Sequence, residues 1–128
     1  MHNNQPTALI VDDDEMLRSI LAYKLERRGF NVLHAEDGPA ALEALQANKI
    51  DIMILDIMMP KMDGFYLLHK AQENHDWAPR ATVVLSARGE EDDILRSFEL
   101  GAVDYITKPF SMNVLIARIE VALKHKAS

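Results

Sequence analysis

The chain contains no cysteine, which excludes a disulfide framework and any thiolate metal site. It has no run of 18 apolar residues, so no membrane-spanning helix is expected. Cations are in the minority: 14 Lys and Arg against 20 Asp and Glu give a formal net charge of -6. That balance argues against direct nucleic-acid binding by this chain, because such affinity is built largely from Lys and Arg meeting phosphates. The two basic clusters, Arg27-Arg28 and Lys124-His125-Lys126, read as cations near helix C-termini. Internal repeats, low-complexity stretches and internal linkers are also missing. The opening residues, Met1 to Pro6, are polar and lack the basic and apolar regions of a secretory signal. A cytoplasmic location is expected.

What is present is a regular alternation. The 128 residues, 48% hydrophobic and 27% charged, suit one domain with one continuous core. Short aliphatic and β-branched runs predict buried strands at Ala8 to Val11, Val32 to Ala35, Ile52 to Leu55, Thr82 to Leu85 and Val103 to Ile106. Helical spacing fills the intervals. Leu17, Leu21 and Leu25 recur at every fourth position with Ile20 beside them, and Gly29 stops that helix. Leu42 and Leu45 follow Gly38-Pro39. Phe65, Leu68 and Ala71 mark a third helix. Ile94, Leu95 and Phe98 mark a fourth, ending at Gly101. Leu115, Ile119 and Leu123 mark a fifth, with Ser111 as its N-cap. Five strand-helix pairs in strict alternation imply an α/β fold, a parallel sheet covered on both faces with right-handed crossovers.

The informative residues stand at the ends of the strands. Ala8 to Val11 runs into Asp12-Asp13-Asp14, Ile52 to Leu55 into Asp56, and the fifth strand into Lys108-Pro109-Phe110. Carboxylates and a lysine at the ends of buried strands are costly to desolvate unless they are paired or bound to a cation. If the first and third strands are neighbours, three carboxylates crowd together and favour a divalent cation. With oxygen donors alone, the expected ion is Mg²⁺, then Mn²⁺. Ligands in such sheets bind beyond the carboxyl ends of the strands, where the strand order reverses.

These motifs resemble the receiver domain of two-component response regulators, the CheY-like family. The resemblance rests on Asp12-Asp13, on Asp56 with Pro60 and Gly64, on Ser86-Ala87, and on Gly101-Ala102 through Lys108-Pro109-Phe110. It implies a doubly wound (βα)5 flavodoxin-like fold of strand order 2-1-3-4-5, and a receiver spanning residues 7–124. Residues 1–6 would then be a flexible lead, and residues 125–128 a tail or the start of a linker. It further implies that Asp56 is the phosphoacceptor, a carboxylate nucleophile. Asp13 and Asp56 would bind the metal directly, Asp12 through water, and Met58 through its backbone carbonyl. Asp14 matches no metal position and suits the cap of the first helix. Lys108, behind a cis bond to Pro109, would pair with a phosphoryl oxygen, and the Ser86 hydroxyl with another. Tyr105 would be the aromatic that swings inward on activation.

The same resemblance implies phosphorylation by a histidine kinase or histidine phosphotransfer protein, and slow loss of phosphate catalysed by the domain itself. Met58 and Arg88 flank the acceptor and are expected to tune that loss. The segment from Ser86 to Arg118 is similar to receivers of winged-helix transcription factors, which pair through the fourth helix, fifth strand and fifth helix. Glu99, Asp104 and Arg118 fit such a homodimer face, whereas Val103 and Val114 stand where acidic residues are frequent. A standalone regulator and a receiver from a longer parent chain with a DNA-binding output domain are both consistent with the sequence. A phosphatase of the haloacid dehalogenase type is disfavoured because its general-acid aspartate would fall at Met58. A flavodoxin-like cofactor binder is disfavoured because no Ser/Thr/Gly-rich phosphate loop follows the first strand. A module that keeps the fold without being phosphorylated is disfavoured by the intact acid triad and Lys108. The reading is a signalling phosphoacceptor, not a turnover enzyme.

Overall fold

A computed structural model describes residues 5–59 and 61–126; expectations that fall on residues 1–4, on Pro60 and on residues 127–128 lie outside the described residues. Strands and helices alternate as β1 (Thr7–Val11), α1 (Glu15–Arg27), β2 (Asn31–Ala35), α2 (Gly38–Ala47), β3 (Ile52–Asp56), α3 (Gly64–Glu73), β4 (Ala81–Ser86), α4 (Glu91–Glu99), β5 (Asp104–Thr107) and α5 (Met112–Lys126). The sheet has the order β2-β1-β3-β4-β5, and every neighbouring pair is parallel. This is the flavodoxin-like α/β fold.

The strands form because their aliphatic runs bury both faces at once. Ala8 and Ile10 of β1 and Ile52 and Ile54 of β3 pack with Leu21 and Leu25 of α1 and with Leu115 and Ile119 of α5. The alternate residues, Leu9, Val11, Met53 and Leu55, pack against Leu45 of α2 and Leu67 and Leu68 of α3. Each such aliphatic side chain contributes roughly 1.5–3 kcal/mol when fully buried. Two cores therefore clamp the sheet and hold its strand ends in fixed register.

Aspartates start three of the helices. The Asp14 carboxylate accepts from the N–H groups of Met16 and Leu17, Asp37 from Ala40, and Asp63 from Phe65. Ser111 caps α5, its Oγ accepting from Val114 N at 3.3 Å. Gly29, at φ +92°, closes α1 in the left-handed conformation that glycine adopts without strain.

Three details differ from the sequence reading. Helix α2 begins at Gly38, ahead of Pro39, because Asp37 caps it. Helix α5 runs on to Lys126, beyond Leu123, the last residue that its spacing marks; no Gly or Pro interrupts it, and Leu123 packs on the core. Helix α4 departs in part: Ile94 packs on the core, but two of its apolar residues do not. Leu95 and Phe98 are 53% and 45% exposed, while Asp93 and Ser97 are buried. Beside Ile94 the inward face carries two polar residues, which are partnered: Ser97 Oγ donates to the Asp93 carbonyl and Arg88 pairs with the Asp93 carboxylate.

Candidate functional site

The order of the sheet reverses at β1, which lies between β2 and β3. Val11 pairs with Leu55, so the residues that follow, Asp12 and Asp56, emerge side by side. Asp56 in turn aligns with Leu85, one residue before Ser86, and Ser86 aligns with Thr107, one residue before Lys108. Four strand ends thus deliver two carboxylates, a hydroxyl and an ammonium to one end of the sheet.

Asp12 is fully buried and Asp56 is 4% exposed, whereas Asp13 is exposed. One carboxylate oxygen from each of the three lies within 4.8 Å of the others. Lys108 Nζ donates to Asp12 Oδ2 at 3.0 Å and to Asp56 Oδ2 at 3.1 Å. The remaining oxygens are held by the backbone: Asp14 N donates to Asp12 Oδ1 and Met58 N to Asp56 Oδ1, both at 2.9 Å. Burial pushes the Asp12 carboxyl above its ordinary value, against the opposing pull of the Asp14 N–H and Lys108. Burial also pulls Lys108 down, but its bonds to Asp12 and Asp56 and their charges leave it above the ordinary lysine value. The Lys108–Pro109 bond is cis.

These residues fit a hard divalent cation. All the side-chain donors are oxygens. Three carboxylates against one ammonium leave two formal negative charges, which a dication balances. Each hydrogen-bonded carboxylate oxygen keeps a second lone pair for a ligand bond.

Ser86 is buried at the end of β4, and its Oγ accepts from Arg88 N at 3.0 Å. That bond leaves the hydroxyl hydrogen available to donate. Tyr105 is buried in β5 and points inward, its hydroxyl donating to the Arg88 carbonyl. Met58 lies on the loop after β3 and is 51% exposed. Asp14 stays outside the carboxylate cluster as the α1 cap. Arg118 and Asp104 pair with each other at 3.5 Å on the β5–α5 surface. Beside them runs a groove of about 390 Å³ lined by Val103, Val114, Ala117 and Val121, so the two valines that the sequence reading singled out share one apolar surface.

Two residues escaped the sequence reading. Arg18 NH1 donates to the backbone carbonyl of Asp12 at 2.6 Å. Its position one turn beyond the Asp14 cap was a usable signal, since residues four apart share a helix face. Asp93 carried no such signal, because its partner Arg88 sits in a loop.

The family model of the response regulator receiver domain matches residues 8–120. The chain belongs to the response regulator receiver family. This receiver is 44% identical over 116 residues to the transcriptional regulatory protein CpxR of Escherichia coli (strain K12), a match covering 91% of this chain and 48% of that protein. It is 40% identical over 116 residues to the alkaline phosphatase synthesis transcriptional regulatory protein PhoP of Bacillus subtilis (strain 168), with the same coverage of 91% and 48%. The receiver spans about half the length of the curated relatives it matches. Among solved structures it is similar to the CheY-like response regulator receiver domain protein of Methanospirillum hungatei JF-1. That match has a TM-score of 0.89 and 25% identity, and it covers 96% of this chain and 97% of the other. No helix among the described residues is long and apolar enough to cross a membrane.

Proposed function

We propose that this receiver accepts a phosphoryl group on Asp56 from the phosphohistidine of a histidine kinase or a histidine phosphotransfer protein. The observation that carries this reading is the position of Lys108 Nζ, 3.0 Å from Asp12 and 3.1 Å from Asp56, with Asp13 completing the carboxylate cluster. Asp12, Asp13, Asp56 and the Met58 backbone carbonyl would hold Mg²⁺, with Mn²⁺ as the alternative. When bound, the ion supplies neutralisation of charge on the phosphoryl oxygens.

The Asp56 carboxylate attacks phosphorus in line. The P–N bond breaks, its electron pair goes to the imidazole nitrogen, and an acyl phosphate remains on Asp56. Lys108 follows a phosphoryl oxygen as a compact charge. The Ser86 hydroxyl donates to another oxygen as it leaves the Arg88 N–H. Tyr105, inward and bonded to the Arg88 carbonyl, couples that loop to β5, so the surface of α4, β5 and α5 changes its affinity for a partner. Later a water attacks phosphorus and the P–O bond to Asp56 breaks. Inorganic phosphate leaves, and the carboxylate is restored. The domain so acts as a signalling acceptor with slow self-catalysed dephosphorylation, not as a turnover enzyme.

We assign the receiver to residues 7–124 and a cytoplasmic setting. The transcriptional regulators it resembles support a longer parent chain with a DNA-binding output domain, while the net charge of -6 supports no direct nucleic-acid binding by the receiver itself. A homodimer through α4, β5 and α5 would use the apolar groove at Val103 and Val114 in addition to ion pairs.

Intact mass after incubation with acetyl phosphate, with and without Mg²⁺, tests the acceptor chemistry. One added phosphoryl group is expected, dependent on Mg²⁺ and lost in Asp56→Asn. No adduct and no beryllofluoride binding, where another receiver is labelled, would overturn it.

A further inference from the structure

Gly38 opens α2 and takes no part in the phosphoryl chemistry above. Its missing side chain leaves a notch, and Met62 fills it. A Cβ at position 38 would lie 2.4 Å from Met62 Cβ and 2.7 Å from Met62 Sδ. Met62 packs there on the core that contains Ala41, Leu45 and Phe65. Its neighbour Lys61 pairs with Asp37 Oδ2 at 3.3 Å, and Asp37 is the cap of the same helix. Lys61 is also the one non-glycine residue at positive φ among the described residues, at +74°. A side chain in that left-handed region persists only where its surroundings hold it. An ion pair on a lysine that is 67% exposed holds little by itself, so the packed methionine is the stronger contact. Two adjacent residues of one loop thus dock on two adjacent residues of another.

The docked loop joins β3 to α3, and it carries Met58, whose N–H holds Asp56 Oδ1 at 2.9 Å. The carbonyl of the same residue is the oxygen proposed above for the cation. A carboxylate can turn about its side-chain bonds to meet an ion. A backbone carbonyl has no such freedom and sits where its loop sits. We infer that Met62 in the Gly38 notch, backed by Lys61 on Asp37, positions the Met58 carbonyl, so that the start of α2 sets the preference of the pocket for Mg²⁺ over Ca²⁺. The inference rests on the metal reading above and makes Gly38 and Met62 positioning residues that act through the loop. Mg²⁺ demands near-ideal octahedral geometry, whereas Ca²⁺ accepts irregular and variable coordination. A displaced carbonyl therefore penalises the smaller ion more.

The test is calorimetric titration of the whole chain with Mg²⁺ and, separately, with Ca²⁺. Gly38→Ala drives a methyl group into Met62. It is expected to weaken Mg²⁺ binding about ten-fold, as loss of an outer partner of a metal site does, and Ca²⁺ binding by no more than about two-fold. Met62→Gly empties the notch from the other side and should act in the same direction. This loop variant decides the matter should Gly38→Ala fail to fold. Gly38→Ala added to Met62→Gly should weaken Mg²⁺ no further, because the methyl group then meets no Met62 side chain. In the metal-free protein, hydrogen exchange at the Met58 N–H should quicken in both single variants. Unchanged Mg²⁺ affinity in a folded Gly38→Ala or Met62→Gly overturns the inference. So does an equal loss for both ions, which a smaller folded fraction alone would give. No Mg²⁺ binding by the unaltered chain would instead sink the metal reading itself, so the two failures are distinguishable.

Discussion

Tyr105 and Arg88 are joined through a hydroxyl and a backbone carbonyl, although 17 residues separate them. The bond ties β5 to the loop after β4, and Ser86 Oγ holds the N–H of that same arginine. Tyr105→Phe removes one hydroxyl and leaves a carbonyl without its donor. A cost of about 1 kcal/mol is expected, read as a lower urea midpoint with an unchanged m-value. Hydrogen exchange at residues 87–90 should quicken in the variant. Unchanged exchange there would mean that the hydroxyl does not hold the loop.

Asp37 gives a pH signature away from the acid pocket. The Ala40 N–H, and after it Lys61 at 3.3 Å, hold its carboxyl below the ordinary value of 3.8. A depressed value in the folded state stabilises the fold above 3.8, and that contribution is lost as pH falls through the folded value. Asp37→Asn keeps a capping oxygen and loses the charge. The variant should melt below the parent at neutral pH, and the gap should close in acid. A constant gap from pH 7 to pH 3, followed by circular dichroism, would refute the assignment.

Gly64 opens α3 in direct contact with the residue after the proposed acceptor. A Cβ there would lie 2.3 Å from Ile57 Cα, a backbone atom that cannot step aside without moving the loop. Gly64→Ala should therefore cost at least about 2 kcal/mol and displace the Met58 N–H from Asp56. Thermal unfolding gives the first effect, and a slowed rate of adduct formation with acetyl phosphate gives the second. A variant with parental stability would show that α3 can slide to make room.

Most of the sheet was legible because a strand buried on both faces must read as an aliphatic run, as Ile52 to Leu55 does. The acid pocket was legible because Asp12, Asp56 and Lys108 stand directly at the ends of such runs, where carboxylates and lysine are out of place unless they meet. Neighbours along the chain were harder to separate. Asp12 is fully buried and Asp13 is exposed, and no propensity distinguishes two adjacent aspartates after a strand. Helix α4 misled for a different reason. Spacing identified the helix and Ile94 packs inward, but Asp93, paired with Arg88, and Ser97 share that inward face, so Leu95 and Phe98 face outward. The missed Arg18 contact runs to a backbone carbonyl, which sequence does not display.

Lys108 should separate fold stability from metal affinity, because its removal moves them in opposite directions. The ammonium neutralises part of the charge on Asp12 and Asp56, and Asp12 has no solvent to turn to. Lys108→Ala should cost the metal-free protein up to about 3 kcal/mol, the penalty of leaving a buried charge without its partner. Lys108 sits above the ordinary lysine value of 10.5. Its contribution is thus complete below that value and is lost only as pH rises through the folded value, so the gap between parent and variant should stay constant across neutral pH. Metal binding should respond the other way. Without the ammonium the cluster carries three formal negative charges, not two, and a dication no longer meets a like charge beside its ligands. Calorimetric titration should show Mg²⁺ binding to the variant about ten-fold more tightly, a difference of about 1.4 kcal/mol. Weaker or equal binding would mean that Mg²⁺ sits beyond the reach of Lys108, and the three-carboxylate site would have to be abandoned.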